Sequence, residues 1–215
     1  MRIFLLGATG RTGKYVLNFS LLMGYQVTAL VRDPARLDRI LPDLRVVTGS
    51  PENAADIQEG IRNCDAVIVT LNNLSRSECG GGQAPFLIAN SVRNCLSAMA
   101  RRGPDRIAVM SMLGVGDSLE YAPAAIRGMK GSTEFKNLFA DHEATDLLLR
   151  ESTVNWTAAR AVALCDNGPL KDLVITYGGT PRPAPTISRR HAAKFLVECL
   201  DDKNYFKKSP VISER

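Results

Sequence analysis

Gly7, Ala8, Thr9, Gly10, Arg11, Thr12 and Gly13 follow directly on an apolar run, and about 20 residues past the turn, at the end of a second apolar run, stands Arg32. Residues of these types at this spacing suit the holding of a dinucleotide. Where a strand reverses into a helix beside a pyrophosphate, side chains would collide at the tight turn, at the ligand contact and at the helix-packing point, so glycine is needed at each. The helix beginning near Thr12 turns its positive end, with its unpaired N–H groups, toward the phosphates. An acidic residue ending the second strand would accept bonds from both ribose hydroxyls and repel a 2′-phosphate; Arg32, with Arg36 one helical turn on, matches that phosphate instead. The cofactor expected is NADP(H). A second reading, in which Asp33 takes up part of the Arg32 charge and both arginines are solvated, stays open at this point.

These residues need a sheet to position them. The run 1–6 and the run 26–31 read as parallel strands joined by a helix that carries Tyr15, Val16, Phe19, Leu22 and Met23 at helical spacing and stops at Gly24. Further strands are predicted at 45–48, 66–71, 106–111, 155–159 and 173–177, and helices at 34–41, 54–61, 85–102, 140–151 and 190–200. The alternation predicts an α/β fold, a Rossmann-type doubly wound parallel sheet, as one domain over 1–215. Segments around 112–138 and 160–186 are read as insertions that form the acceptor site on a small C-terminal-side region, with Met112 and Leu113 as apolar walls. Ligands of such sheets sit at the carboxyl ends of the strands, here the 7–13 turn, Arg32, Ser50, Leu71 and Asn72, Ser111, and Arg160.

Composition narrows the function classes. With 45% hydrophobic and 23% charged residues, and no apolar run near the ~20 needed to cross a bilayer, the chain reads as a cytoplasmic protein without a membrane segment. The net charge of +5 is dispersed and aromatics are only 6%, which argues against a nucleic-acid groove. Cys64, Cys79, Cys95, Cys165 and Cys199 are odd in number and lack metal-ligand spacing, so reduced thiols and no metal are expected, Cys79 beside Gly80, Gly81 and Gly82 being the most oxidisable.

The blocks LLGATGRTG, LVRDPARL, DAVIVTL, MSMLGVGDS and ADHEATDLLLRESTVNWTAAR, in this order, resemble the atypical short-chain dehydrogenase group that includes biliverdin-IXβ/flavin reductases and NmrA-like proteins. The resemblance implies that the 7–13 turn is the phosphate loop, Arg32 the 2′-phosphate reader, and Leu71 and Asn72 the lining of the nicotinamide ribose. It also implies that Ser111 is the active-site serine and that the strand ending at Arg160 runs under the nicotinamide. Three departures stand out. Gly49-Ser50-Pro51 replaces the usual Gly-Asp that meets adenine, Arg160 is followed by Ala161 rather than proline, and Ala163 stands where the IXβ reductase carries a histidine.

No tyrosine is followed by lysine four residues on, so the carbonyl chemistry of the main short-chain dehydrogenases is not expected. A flavin, quinone or bilin-like planar acceptor asks mainly for stacking and orientation. Ser111 is the candidate that orients the acceptor, and His142, in Asp141-His142-Glu143 at a helix start, the candidate proton relay. His191 reads as structural. The expected function is NADPH-dependent reduction of such an acceptor by a monomer or weak dimer; the alternative is an NADP(H)-sensing regulator without turnover.

Overall fold

The computed structural model describes residues 1–37, 41–72, 86–101, 103–133, 135–166 and 170–215. Cys79, the Gly80 to Gly82 run and the two ends of the helix expected over 85–102 lie outside the described residues. Strands β1 (Arg2–Leu6), β2 (Gln26–Val31), β3 (Leu44–Thr48), β4 (Ala66–Val69), β5 (Arg106–Met112) and β6 (Asn155–Ala161) lie in the order β3-β2-β1-β4-β5-β6, every pair parallel. Strand order therefore reverses between β1 and β4, which is where the 7–13 turn emerges. Alternating residues of one strand enter opposite layers. Ile3 and Leu5 pack with Val16, Leu17, Phe195 and Leu196, whereas Phe4 and Leu6 pack with Ile57, Ile61, Ile88 and Val92. Burial on both faces explains why β1 and β4 are unbroken apolar runs rather than alternating ones.

The first layer is α1 (Gly13–Leu22) packed on α6 (Arg189–Glu198); the second is α2 (Ala54–Ile61), α3 (Leu87–Met99) and α5 (Lys136–Glu151). The structure extends the expected pattern at three places. Short strands β7 (Ala163–Cys165) and β9 (Thr186–Ser188) pair with each other, and β10 (Val211–Glu214) inserts between β6 and β8 (Leu173–Thr176). The β8 strand runs antiparallel to β10, so the sheet is parallel except at that edge. Strands of three or four residues carry too little periodicity to be told from loop.

The 112–138 stretch is more regular than expected. Ser118 Oγ accepts from the Gly114 amide and donates to the Val115 carbonyl, Leu113 is buried in the core rather than forming a wall, and α4 (Ala124–Gly131) follows. No side chain of α4 is fully buried, and Ile126 packs partly buried against the core. Of the helix expected over 34–41, Pro34–Arg36 form a 3-10 turn and Leu37 is extended, while residues 38–40 lie outside the described residues. His191 is structural as expected: its Nδ1 lies 2.8 Å from Glu214 Oε2, and Glu214 also accepts from the Ser188 amide, locking α6 to β10.

The α3–α5 contact replaces a missing cap. Phe86, preceding α3, has φ +65° and no side-chain cap bond, and Asp141 from α5 instead accepts from the Ile88 and Ala89 amides at 3.0 and 2.8 Å. The carboxylate is fully buried at the positive end of the helix, a favourable place for it. Next to it His142 is buried, with Nδ1 lacking a hydrogen-bond partner among the described residues, and burial pushes its pKa down to about 4 despite the Asp141 charge.

Two outcomes follow from this packing. D141A strands two buried amides, and its stability to urea should fall by about 1–3 kcal/mol; an unchanged midpoint would contradict the capping role. His142 binds its proton less tightly folded than unfolded, so its contribution to stability is complete above its unfolded value and is lost as pH falls from about 6.5 toward about 4, by about 3 kcal/mol in all. Urea melts of wild type and H142N at pH 7 and pH 4.5 should show a smaller acid loss in the variant, and equal losses would refute the assignment.

Candidate functional site

The first strand ends at Leu6, and the chain then turns through Gly7 at φ +89°. A side chain at Gly7 would place Cβ 2.7 Å from Thr70 Oγ1, and one at Gly13 would place Cβ 1.9 Å from the Gly7 carbonyl oxygen. These two glycines therefore let α1 start directly against the β1–β4 junction. Thr70, within the strand expected over 66–71 but just past the end of β4, fastens the junction: its hydroxyl donates to the Leu6 carbonyl at 3.0 Å and its amide to the same oxygen at 2.9 Å. A lone threonine closing the run Ala66-Val67-Ile68-Val69 was the available signal. Across the turn, Gly10 donates to the Gly7 carbonyl at 2.9 Å. The amides of Arg11, Thr12 and Gly13 find no acceptor among the described residues, and Thr12 makes no side-chain cap. Clustered free donors at the positive end of a ten-residue helix suit a pyrophosphate, so the residues present fit the dinucleotide.

Charges around the turn divide into two groups. Arg11 is ion-paired with Asp166, just beyond β7, which also takes Arg189 at 2.7 Å; the Arg11 hydrogen bond, ahead of a small opposing effect of burial, holds the Asp166 carboxyl below its usual range. Arg32 and Arg36 are exposed and have no ion pair among the described residues. Asp33 makes no ion pair with Arg32 among the described residues; its Oδ1 accepts from the Ala35 amide at 3.0 Å and caps the 3-10 turn.

At the end of β3, Ser50 is turned toward α2. Its amide donates to Asp56 Oδ2 at 2.8 Å and its Oγ accepts from the Glu52 amide at 3.3 Å. Pro51 beside it is buried. After β4, Leu71 is half-buried and Asn72 exposed. Ser111 sits near the end of β5, in register with Arg160 of β6, and is 6% exposed. Its hydroxyl has no hydrogen-bond partner among the described residues.

Arg160 is wholly buried and bonded on both terminal nitrogens, Nη1 to Asp117 Oδ1 at 2.8 Å and Nη2 to Asp146 Oδ1 at 3.1 Å, while Nε has no partner among the described residues. Arg150 closes the cluster onto both carboxylates. Partial burial pushes the Asp117 carboxyl up, but the hydrogen bond and charge of Arg160, with Arg150, hold it below its ordinary value. Gly116, at φ +56°, passes directly over this guanidinium; a Cβ there would lie 2.6 Å from Nη2. His142 is buried on α5 and is neutral at pH 7.

Comparison with known proteins bears on this geometry. The short-chain dehydrogenase/reductase from Veillonella parvula, solved in complex with NADP, is 19% identical, with a TM-score of 0.78 over 99% of this chain and 94% of its own. The anaerobillin reductase ChuY from Escherichia coli O157:H7 is 17% identical, with a TM-score of 0.80 over 100% and 97% of the two chains. The oxidoreductase ylbE from Lactococcus lactis is 16% identical, with a TM-score of 0.80 over 100% and 91%. At these identities the likeness is one of fold. The sequence model of the NAD(P)H-binding family matches residues 7–203, from the first glycine of the turn to beyond α6, and the chain belongs to that family.

Proposed function

We propose that the protein is an NADPH-dependent reductase of a planar conjugated acceptor such as a flavin, quinone or bilin. The observation that carries this reading is Ser111: a nearly buried serine with an uncommitted hydroxyl, at the carboxyl end of β5 in an NAD(P)H-binding fold. When bound, the reduced nicotinamide supplies a hydride to an electron-poor ring. The free amides of Arg11, Thr12 and Gly13 hold the pyrophosphate, and Arg32 with Arg36 holds the 2′-phosphate. Leu71 and Asn72 flank the nicotinamide ribose, and Ser50 edges the adenine pocket, where its committed amide leaves adenine to be held by shape rather than by the usual carboxylate.

Ser111 donates to, or accepts from, the acceptor and orients its reacting face. Arg160, with both terminal nitrogens committed to carboxylates, acts as a rigid floor under β6 rather than as a mobile cation. His142, neutral and buried, is not a source of protons at pH 7, so the proton that accompanies reduction comes from water. A delocalised acceptor tolerates that, because its reduced anion does not need to be protonated in the same step. The bilin reductase among the fold relatives supports this acceptor class.

Purified protein with NADPH and FMN, riboflavin, a quinone or biliverdin should oxidise NADPH above background with at least one of them. No oxidation with any, together with equal affinity for NADPH and NADP+, would favour the sensing alternative. S111A should lower kcat/KM for the acceptor by about 10–100-fold, the worth of one buried hydrogen bond at a reacting centre, with NADPH affinity unchanged. R32A should weaken NADPH binding by about 10–100-fold and leave NADH binding as it was; parallel losses for both would refute the assignment of Arg32.

A further inference from the structure

The cations near the phosphate loop are more numerous than the two that the cofactor reading uses. Lys14 occupies the second position of α1, whose first turn contains no acidic residue. A cation there sits in the positive field of the helix end, which disfavours it. Unlike Arg11, it has no carboxylate partner among the described residues; its ammonium lies 5.2 Å from the ring centroid of its neighbour Tyr15. Lys14 is exposed, so it is not retained for core packing.

Its surroundings indicate what the charge is for. Lys14 lines a cleft together with Ala8 and Thr9 of the phosphate loop, Asn18 one helical turn on, and Arg36 from the 3-10 turn after β2. One wall of this cleft is thus the loop and α1, and the other carries Arg36, Leu37 and Leu41, which follow β2. Among the described residues, Lys14 and Arg36 are the charged residues lining it and no acidic side chain does. A compact dianion is the ligand chemistry that such a cleft fits, because it would relieve the mutual repulsion of the cations on its two walls.

We propose that Lys14 is a third determinant of NADPH preference, gripping the 2′-phosphate from the α1 side while Arg32 and Arg36 grip it from the β2 side. This rests on the reading of Arg32 and Arg36 as 2′-phosphate ligands. It accounts for a lysine at a position where helix stability favours an acid. Arg11, by contrast, is committed to Asp166 and ties the loop to the end of β7.

The test uses adenosine 2′,5′-bisphosphate and 5′-AMP, which differ only in the 2′-phosphate, titrated calorimetrically into wild type, K14M, K14R and R32A. K14M should lower the ratio of the two affinities by about tenfold, with 5′-AMP binding unchanged and a shallower salt dependence for the bisphosphate. K14R should restore most of the ratio. Without nucleotide, the K14M melting temperature should equal or exceed that of wild type, because a cation has left the positive helix end. Equal weakening of both ligands by K14M, an unchanged ratio, or a melting temperature lower by several degrees would each overturn the role of Lys14. A wild type that binds both ligands alike would sink the 2′-phosphate reading itself and Lys14 with it. A wild type that discriminates, with R32A losing the ratio and K14M keeping it, would remove Lys14 alone.

Discussion

The close approach of two backbones, the start of α1 against the Gly7 carbonyl, is the constraint on which the candidate site depends. With 1.9 Å between that oxygen and a hypothetical Gly13 Cβ, no side chain fits, and any displacement of α1 would carry its free amides away from the β1–β4 junction. Thr70 holds the other side of the same point by bonding twice to the Leu6 carbonyl. Two strands and one helix are thereby fixed where strand order reverses. The remaining site residues, from Arg32 at the end of β2 to Ser111 on β5, are placed by the parallel register that runs outward from β1.

Around this junction the charges are sorted by burial. The buried ones are compensated within the chain: Arg160 by Asp117 and Asp146, and His142 by staying neutral beside Asp141, whose own charge faces the α3 amides. A buried cation with one partner removed would be costly, which makes the Arg160 cluster a structural brace as much as a neighbour of the site. The exposed cations Lys14, Arg32 and Arg36 are left without carboxylate partners among the described residues, on the side where the adenosine end of a dinucleotide would lie. Preserving positive charge there costs some self-repulsion, which an anionic ligand relieves.

Much of this was legible in the sequence because it rests on local patterns. Glycine spacing, an apolar strand and an arginine at the next strand end are short-range signals, and β2 and α2 appear with their expected limits. What escaped is long-range or small. Asp141 as a cap for α3 joins residues more than 50 apart, Asp166 reaches Arg11 across 155 positions, and β7, β9 and β10 are too short for a period to register. The burial of His142 escaped for a related reason: a histidine in the first half of a helix looks the same in sequence whether its face meets solvent or the interior, and here it is buried. The antiparallel β8 was hidden because strand direction is decided by the C-terminal β10 against which it pairs.

The most direct measurement is a crystal structure of the protein with NADP+ bound. The account predicts the pyrophosphate on the amides of Arg11, Thr12 and Gly13, the 2′-phosphate beside Arg32, and the nicotinamide within about 4 Å of Ser111, as near-attack geometry over β5 requires. A nicotinamide lying elsewhere than the ends of β4 and β5, or a 2′-phosphate turned away from Arg32, would contradict it.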